Sequence, residues 1–220
     1  MRLDNSNIFA FKSKNKVIRD ADNMVRHVNN MFPRVSLSKA ACYNNFPYSS
    51  LDNIYEETVA YEKLRKVRKI SDLIYSSKES VADKCSRYLD ALRLFPAGNC
   101  GESSFLAKIA AEINGIKNAK IASLYNRYED MDHSVVLVND KKPYIIDCWL
   151  GFADYVPNAI QRYLKEFSQY IVEEGQEISS KSMSFSVEKA LSLFKNMNFS
   201  EKDVCELRKR FPELIMRNKT

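Results

Sequence analysis

Three side chains near the middle of the chain have the types and order that acyl transfer through sulfur requires. Cys100 sits in Gly98-Asn99-Cys100-Gly101-Glu102, at the expected mouth of a helix. With Asn99 as N-cap, Glu102 falls at the third helical position and can return a hydrogen bond, a capping box that holds Cys100 at the first. The dipole and the N–H groups of that turn favour a thiolate, and the same groups can hold an oxyanion. Asn99 and Gly101 are therefore oxyanion or cleft candidates, and the two glycines keep bulk away from an approaching carbonyl. His133 opens the strand-like run His133-Ser134-Val135-Val136-Leu137-Val138, 33 residues on. Asp147 interrupts the otherwise apolar run Tyr144-Ile145-Ile146-Asp147-Cys148-Trp149, and a buried carboxylate needs a partner. It lies 14 residues after His133, a hairpin's span that lets Asp147 fix the imidazole tautomer turning the other nitrogen to sulfur.

Each of these residues alone has a plainer explanation. A cysteine at a helix start is commonly a small buried hydrophobe, and a histidine at a strand start a surface or core residue. Their joint occurrence selects nucleophile, base and orienting acid. Trp149 and Phe152 follow closely enough to wall a cleft, although ordinary core aromatics are the weightier expectation. Cys148, next to the acid in a regular strand, would point to the opposite face. It is read as structural, as are Cys42, Cys85 and Cys205.

The elements that must position the triad follow from periodicity. Ile18, Val25, Val28 and Phe32 recur near helical period until Pro33. A polar, turn-rich connection fills 33–50, and helical spacing resumes over Leu51 to Lys69. Val81, Cys85, Tyr88, Leu89 and Leu92 form one stripe that must end before Pro96. Leu106, Ile109, Ala110 and Ile113 form the next, closed by Asn114-Gly115. Three β-like runs follow, Lys120 to Tyr125, His133 to Val138 and Tyr144 to Trp149, the last two joined by a loop over Asn139 to Pro143. Beyond Pro157, Ile160, Tyr163, Leu164 and Phe167 read as a helix, and two more are expected to begin near Ser186 and Ser200. The class is α+β: a nucleophile helix on a small antiparallel sheet, with helical N- and C-terminal regions. Residues 1–95 are expected to be mainly helical and to select substrate, and 96–220 to hold the catalytic core with C-terminal helices.

Composition bounds the function. The chain has 220 residues, 45% hydrophobic and 28% charged, which suits a folded protein with one good core. No run approaches the roughly 18 apolar residues of a membrane span, and the N-terminus lacks the sectors of a secretory signal. Five scattered cysteines without a C-x-x-C pair argue against a disulfide framework and for a reducing compartment. Two histidines, neither at ligand spacing from a second His or Cys, disfavour structural zinc, and no cofactor is expected. The net charge of +6 is densest in Lys63-Leu64-Arg65-Lys66-Val67-Arg68-Lys69. A solvated helix face is the first expectation there, and an acidic partner contacted through Lys63, Arg65, Lys66, Arg68 and Lys69 the second. No nucleic-acid-binding motif accompanies it.

The settings G-N-C-G-E, D-H-S-V-V-L-V and I-I-D-C-W, in that order, resemble the papain-like and transglutaminase-like cysteine enzyme superfamily. The tight Cys-His-Asp spacing is similar to that of bacterial toxin and effector domains, some glutamine deamidases and others proteases. The resemblance spans about Gly98 to Trp149. It implies Cys100 as nucleophile, His133 as base, Asp147 as orienting acid, and a protein substrate, a host protein among the options. It also implies residence in the cytoplasm, or in a host cytosol after secretion by a non-Sec route. Papain-like proteases draw an oxyanion donor from a glutamine ahead of the cysteine, whereas the first glutamine here is Gln161. Asn99 or a backbone N–H takes that place. The contrasting class is a non-catalytic helical adaptor that binds a partner through residues 63–69.

Overall fold

The computed structural model describes residues 16–34, 51–126, 133–167, 183–187 and 194–216, with backbone alone at 51–57 and 167. Among the described residues the helices are α1 (Lys16–Met31), α2 (Leu51–Ser76), α3 (Val81–Leu94), α4 (Cys100–Ile113), α5 (Val156–Phe167) and α6 (Glu201–Arg210). The strands are β1 (Ala119–Asn126), β2 (His133–Val138), β3 (Tyr144–Asp147), β4 (Phe152–Tyr155) and β5 (Met183–Ser186). They form one antiparallel sheet in the order β4-β3-β2-β1-β5, so the protein is α+β.

The strand register divides the side chains between two cores. Val136 lies opposite Ile146 and Leu137 opposite Ile145, and residues opposite one another share a face. Val136, Val138, Tyr144 and Ile146 pack into the larger core with α1, α3 and α4. Val135 and Ile145 join a smaller core with Phe152, Ala159 and Tyr163 under α5. Alternation along each strand puts His133 and Asp147 on this second face.

The helical layer is held to the sheet by apolar burial and a few specific polar ties. From α1, Ile18, Val25 and Val28 are buried, and the Asp22 carboxylate accepts a hydrogen bond from the backbone N–H of Ala153 at 3.0 Å on edge strand β4. Only every third or fourth residue of α2 turns inward, with Leu64, Val67 and Ile74 buried among exposed charges. In the C-terminal part, Phe194 stacks on Phe105 of α4 at 4.1 Å and meets Tyr88 of α3 edge-on at 5.5 Å.

Most sequence expectations for the described residues hold, with instructive departures. β3 stops at Asp147, and Cys148–Leu150 is a turn rather than strand, so Cys148 owes its position to that turn. Gly151 accounts for the break: at φ +83° it takes the left-handed conformation that lets the chain reverse into β4. Neither β4 nor β5 was expected, because four residues are too few to carry an alternation signal. β5 ends at Ser186, and the helix expected to begin near that residue falls on 188–193, outside the described residues. α2 runs seven residues past Lys69, and α5 begins one residue ahead of Pro157. Ser200 caps α6 by accepting from the Asp203 N–H at 3.2 Å. Cys42 and the connection after Arg34 lie outside the described residues.

Replacing Asp22 by Ala strands the buried Ala153 N–H, and the expected loss is about 1–3 kcal/mol of stability. Urea titration checks this: the midpoint falls while the slope is unchanged.

Candidate active site

The nucleophile's position is fixed from several directions. Glu102 accepts a hydrogen bond from the Asn99 N–H at 2.9 Å, which is the returning half of the expected capping box, and the Ser103 N–H donates to the Asn99 carbonyl at 3.0 Å. The buried Tyr88 hydroxyl donates to the Glu102 carbonyl at 3.1 Å, anchoring the first turn of α4 to α3. From α2, Arg68 donates to Glu102 at 2.9 Å, so one member of the basic run is engaged at the nucleophile helix. Lys66 lies over the Phe95 ring at 5.2 Å. The basic segment is thus partly docked rather than wholly a solvated face.

The two glycines play different parts. A Cβ at Gly98 would meet the Glu102 Cβ at 3.0 Å and the Arg34 Cδ at 3.1 Å, so glycine there serves close internal packing. A Cβ at Gly101 would meet nothing within 4 Å, which leaves the approach over the helix mouth open. Cys100 is half-buried beside that opening.

His133 is 3% exposed and hydrogen-bonds through Nε2 to Asp147 Oδ2 at 2.7 Å. Its side chain also hydrogen-bonds with that of Cys100. With Nε2 engaged by the acid, Nδ1 is the nitrogen left to face sulfur. As the first residue of β2, His133 stands at the end of the sheet, where the mouth of α4 can reach it although that helix lies on the other face.

Asp147 is the hub. Besides His133, Oδ2 accepts from the Tyr163 hydroxyl of α5 at 2.9 Å, while Oδ1 accepts from the N–H groups of Trp149 and Leu150, each at 2.8 Å. These four bonds match the acceptor capacity of a carboxylate. The backbone pair closes the turn after β3, and the Gly151 N–H donates to the Asp147 carbonyl at 2.9 Å. Burial raises Asp147's pKa, but the His133 charge and the hydrogen bonds prevail and hold it below the ordinary carboxylate value. Burial likewise disfavours charge on His133, yet the Asp147 charge and hydrogen bond, with Cys100 adding to them, lift it to about 9. At neutral pH the arrangement therefore favours an imidazolium between sulfur and carboxylate.

All three predicted catalytic side chains come together, and the lesser candidates divide. The Trp149 ring lies 5.1 Å from His133 and lines a cleft of about 260 Å³ beside the triad. Asn99 caps the helix, and Gly101 faces open space. Phe152 packs at 5.5 Å on Tyr163 in the smaller core rather than walling the cleft. Cys148 does line the cleft, with burial pushing its thiol up to about 12, and burial raises Cys85 further. Tyr163 was missed as a partner of the acid. The available signal was a tyrosine on the apolar stripe of its helix, whose hydroxyl must find an acceptor when buried. Arg34 and Asn29, which also line the cleft, carried no sequence signal.

Among the described residues no cluster of three or more His, Cys, Asp or Glu side chains is placed to hold a metal, and no helix is long and apolar enough to cross a membrane. The chain matches no family model, no curated protein and no solved structure.

Asp147→Ala removes four hydrogen bonds and leaves the buried His133 without its carboxylate, so a loss of about 3–5 kcal/mol is expected in denaturant titration, against about 1 for Tyr163→Phe. His133 at about 9, above its ordinary 6.5, means that the folded chain holds a proton the unfolded chain releases. Its stabilisation is full below the ordinary value and fades as pH rises through the folded one. The thermal midpoint should fall across that window, less steeply in His133→Asn. With iodoacetamide below neutral pH, Cys100 should react before the other thiols, and His133→Ala should slow it.

Proposed function

We propose that the chain is a cysteine-dependent hydrolase with a papain-like or transglutaminase-like catalytic core, acting on a carboxamide or peptide carbonyl of a protein substrate. The observation that carries this reading is the convergence of Cys100, His133 and Asp147, with every acceptor site of the acid filled. Cys100 Sγ attacks the carbonyl carbon, and the oxyanion is held by first-turn N–H groups of α4, with Asn99 and Gly101 at that mouth. The imidazolium of His133 gives its proton to the departing amine, which leaves a thioester. His133, now neutral, takes a proton from water as the water attacks; the acid product departs and Sγ is restored. Asp147 keeps the ring in one orientation throughout, and Trp149 walls the entrance.

Loss of ammonia from a glutamine side chain makes this a deamidase, loss of a peptide amine a protease, and attack by an amine in place of water a transglutaminase. The first two are favoured by the resemblance to bacterial effector domains. The same resemblance gives two settings for the substrate, the cytoplasm of the producing cell or a host cytosol reached by a non-Sec route. The adaptor reading draws on the exposed part of residues 63–69 and gains nothing from the burial of His133 and Asp147.

The test is incubation with host-cell lysate beside Cys100→Ser, followed by mass spectrometry. A gain of about one dalton at a glutamine identifies deamidation, and new termini identify proteolysis; either should drop at least about 10³-fold in Cys100→Ser. Identical lysates from the two proteins would sink the hydrolase reading and leave the adaptor.

A further inference from the structure

The cleft beside the triad contains a cation that the proposed bond-breaking steps do not use. It is bounded by Gly98, two residues before the nucleophile, by Ser103, one helical turn beyond it, and by Trp149, whose ring neighbours His133. A group seated there lies next to the carbonyl under attack rather than on it. Phe32, Pro33 and Trp149 give the cleft apolar wall, and Arg34 gives it charge.

Arg34 lines the cleft, and among the described residues its hydrogen-bond acceptors are two neutral oxygens. Its guanidinium donates to the Phe32 carbonyl at 2.6 Å and to Asn29 Oδ1 at 2.9 Å. Both acceptors are neutral, and a guanidinium has five N–H donors. Asn29 in turn donates to the Cys148 carbonyl at 2.9 Å, which ties Arg34 to the turn that carries Asp147 and Trp149. Among the described residues no carboxylate forms an ion pair with Arg34. Glu102 is near enough to favour its charge, but its oxygens accept from the Asn99 N–H and from Arg68, and among the described residues no hydrogen bond joins it to Arg34. Burial, the largest influence, pushes Arg34 below the ordinary guanidinium value. A planar cation held at this cost in a concave, partly apolar cleft suits an anionic group on a short methylene stem.

We propose that Arg34 determines substrate specificity: its cleft receives an anionic side chain flanking the carbonyl that Cys100 attacks, so the substrate is an acidic segment of a protein. This rests on the hydrolase reading. The anion is the carboxylate of an acidic residue or the phosphate of a modified hydroxyl, and a glutamate side chain has the stem length to pass the apolar wall.

The test uses pentapeptides whose central residue is a glutamine analogue with a chloromethyl ketone in place of the carboxamide. Each of the four flanking positions in turn carries glutamate, phosphoserine or glutamine, with alanine elsewhere, and the rate of Cys100 labelling is read by intact mass. At one position or more, the anionic probe should label about ten-fold faster than its glutamine counterpart, and added salt should shrink the ratio. The faster of glutamate and phosphoserine identifies the source of the anion. The ratio should fall to about one in Arg34→Gln and be partly kept in Arg34→Lys, which retains charge but not the planar fork. A fold that merely needed Arg34 would slow both probes alike and leave their ratio unmoved. Equal labelling by anionic and neutral probes of the unmodified protein at all four positions would overturn the proposal, whatever the variants do. So would a preference that survives Arg34→Gln. If no probe labels Cys100 while iodoacetamide does, the side-chain amide form of the hydrolase reading fails and takes the inference with it.

Discussion

The buried carboxylate of Asp147 is the constraint on which the site depends. A charge with 1% exposure is tolerated only when its lone pairs are occupied, and here they are shared among a ring nitrogen, a hydroxyl and two backbone amides. Each donor comes from a different requirement of the fold. The amides belong to the turn that ends β3, the hydroxyl to the helix covering the smaller core, and the imidazole to the neighbouring strand. Three of these bonds fix the carboxylate and the fourth aims His133, so the orientation of the imidazole and the stability of the fold are one arrangement seen twice.

The sheet end supplies the remaining geometry. Strand alternation sends His133 and Asp147 toward α5, while the nucleophile rides on a helix from the opposite layer. The two layers meet where the strands finish, and there Cys100 in the first turn of α4 touches His133 at the start of β2. The helix mouth is kept at that level by Tyr88, Glu102 and Arg68, contributed by three different helices. Described residues ahead of position 95 thus help to position Cys100, since α1, α3 and α4 share one core.

Much of the site was legible because its chemistry is short-range in sequence. Asn99 and Glu102 announce a helix start three residues apart, and an aspartate interrupting an apolar run announces a buried charge. Strand β2 was legible through its apolar run. The end of β3 was not, since nothing in Asp147-Cys148-Trp149 distinguishes a strand that continues from one that turns; the carboxylate itself decides by accepting the turn's amides. Tyr163 and Arg34 were invisible as site residues for another reason. Each reaches the triad's surroundings through tertiary contact from an element whose own pattern is ordinary. The strand Met183–Ser186 shows the same limit, as its pairing with β1 and not its composition makes it a strand.

The register of β2 with β3 restricts how a lineage carrying this site can drift. A slip of one residue between these strands would turn Ile146 toward His133 and carry the acid into the layer of helices. Insertions and deletions in the connecting loop at 139–143 are therefore tolerable only when they bulge outward and leave the pairing where it is. Descendants of this sequence should vary in the length of that loop far more readily than in its phase.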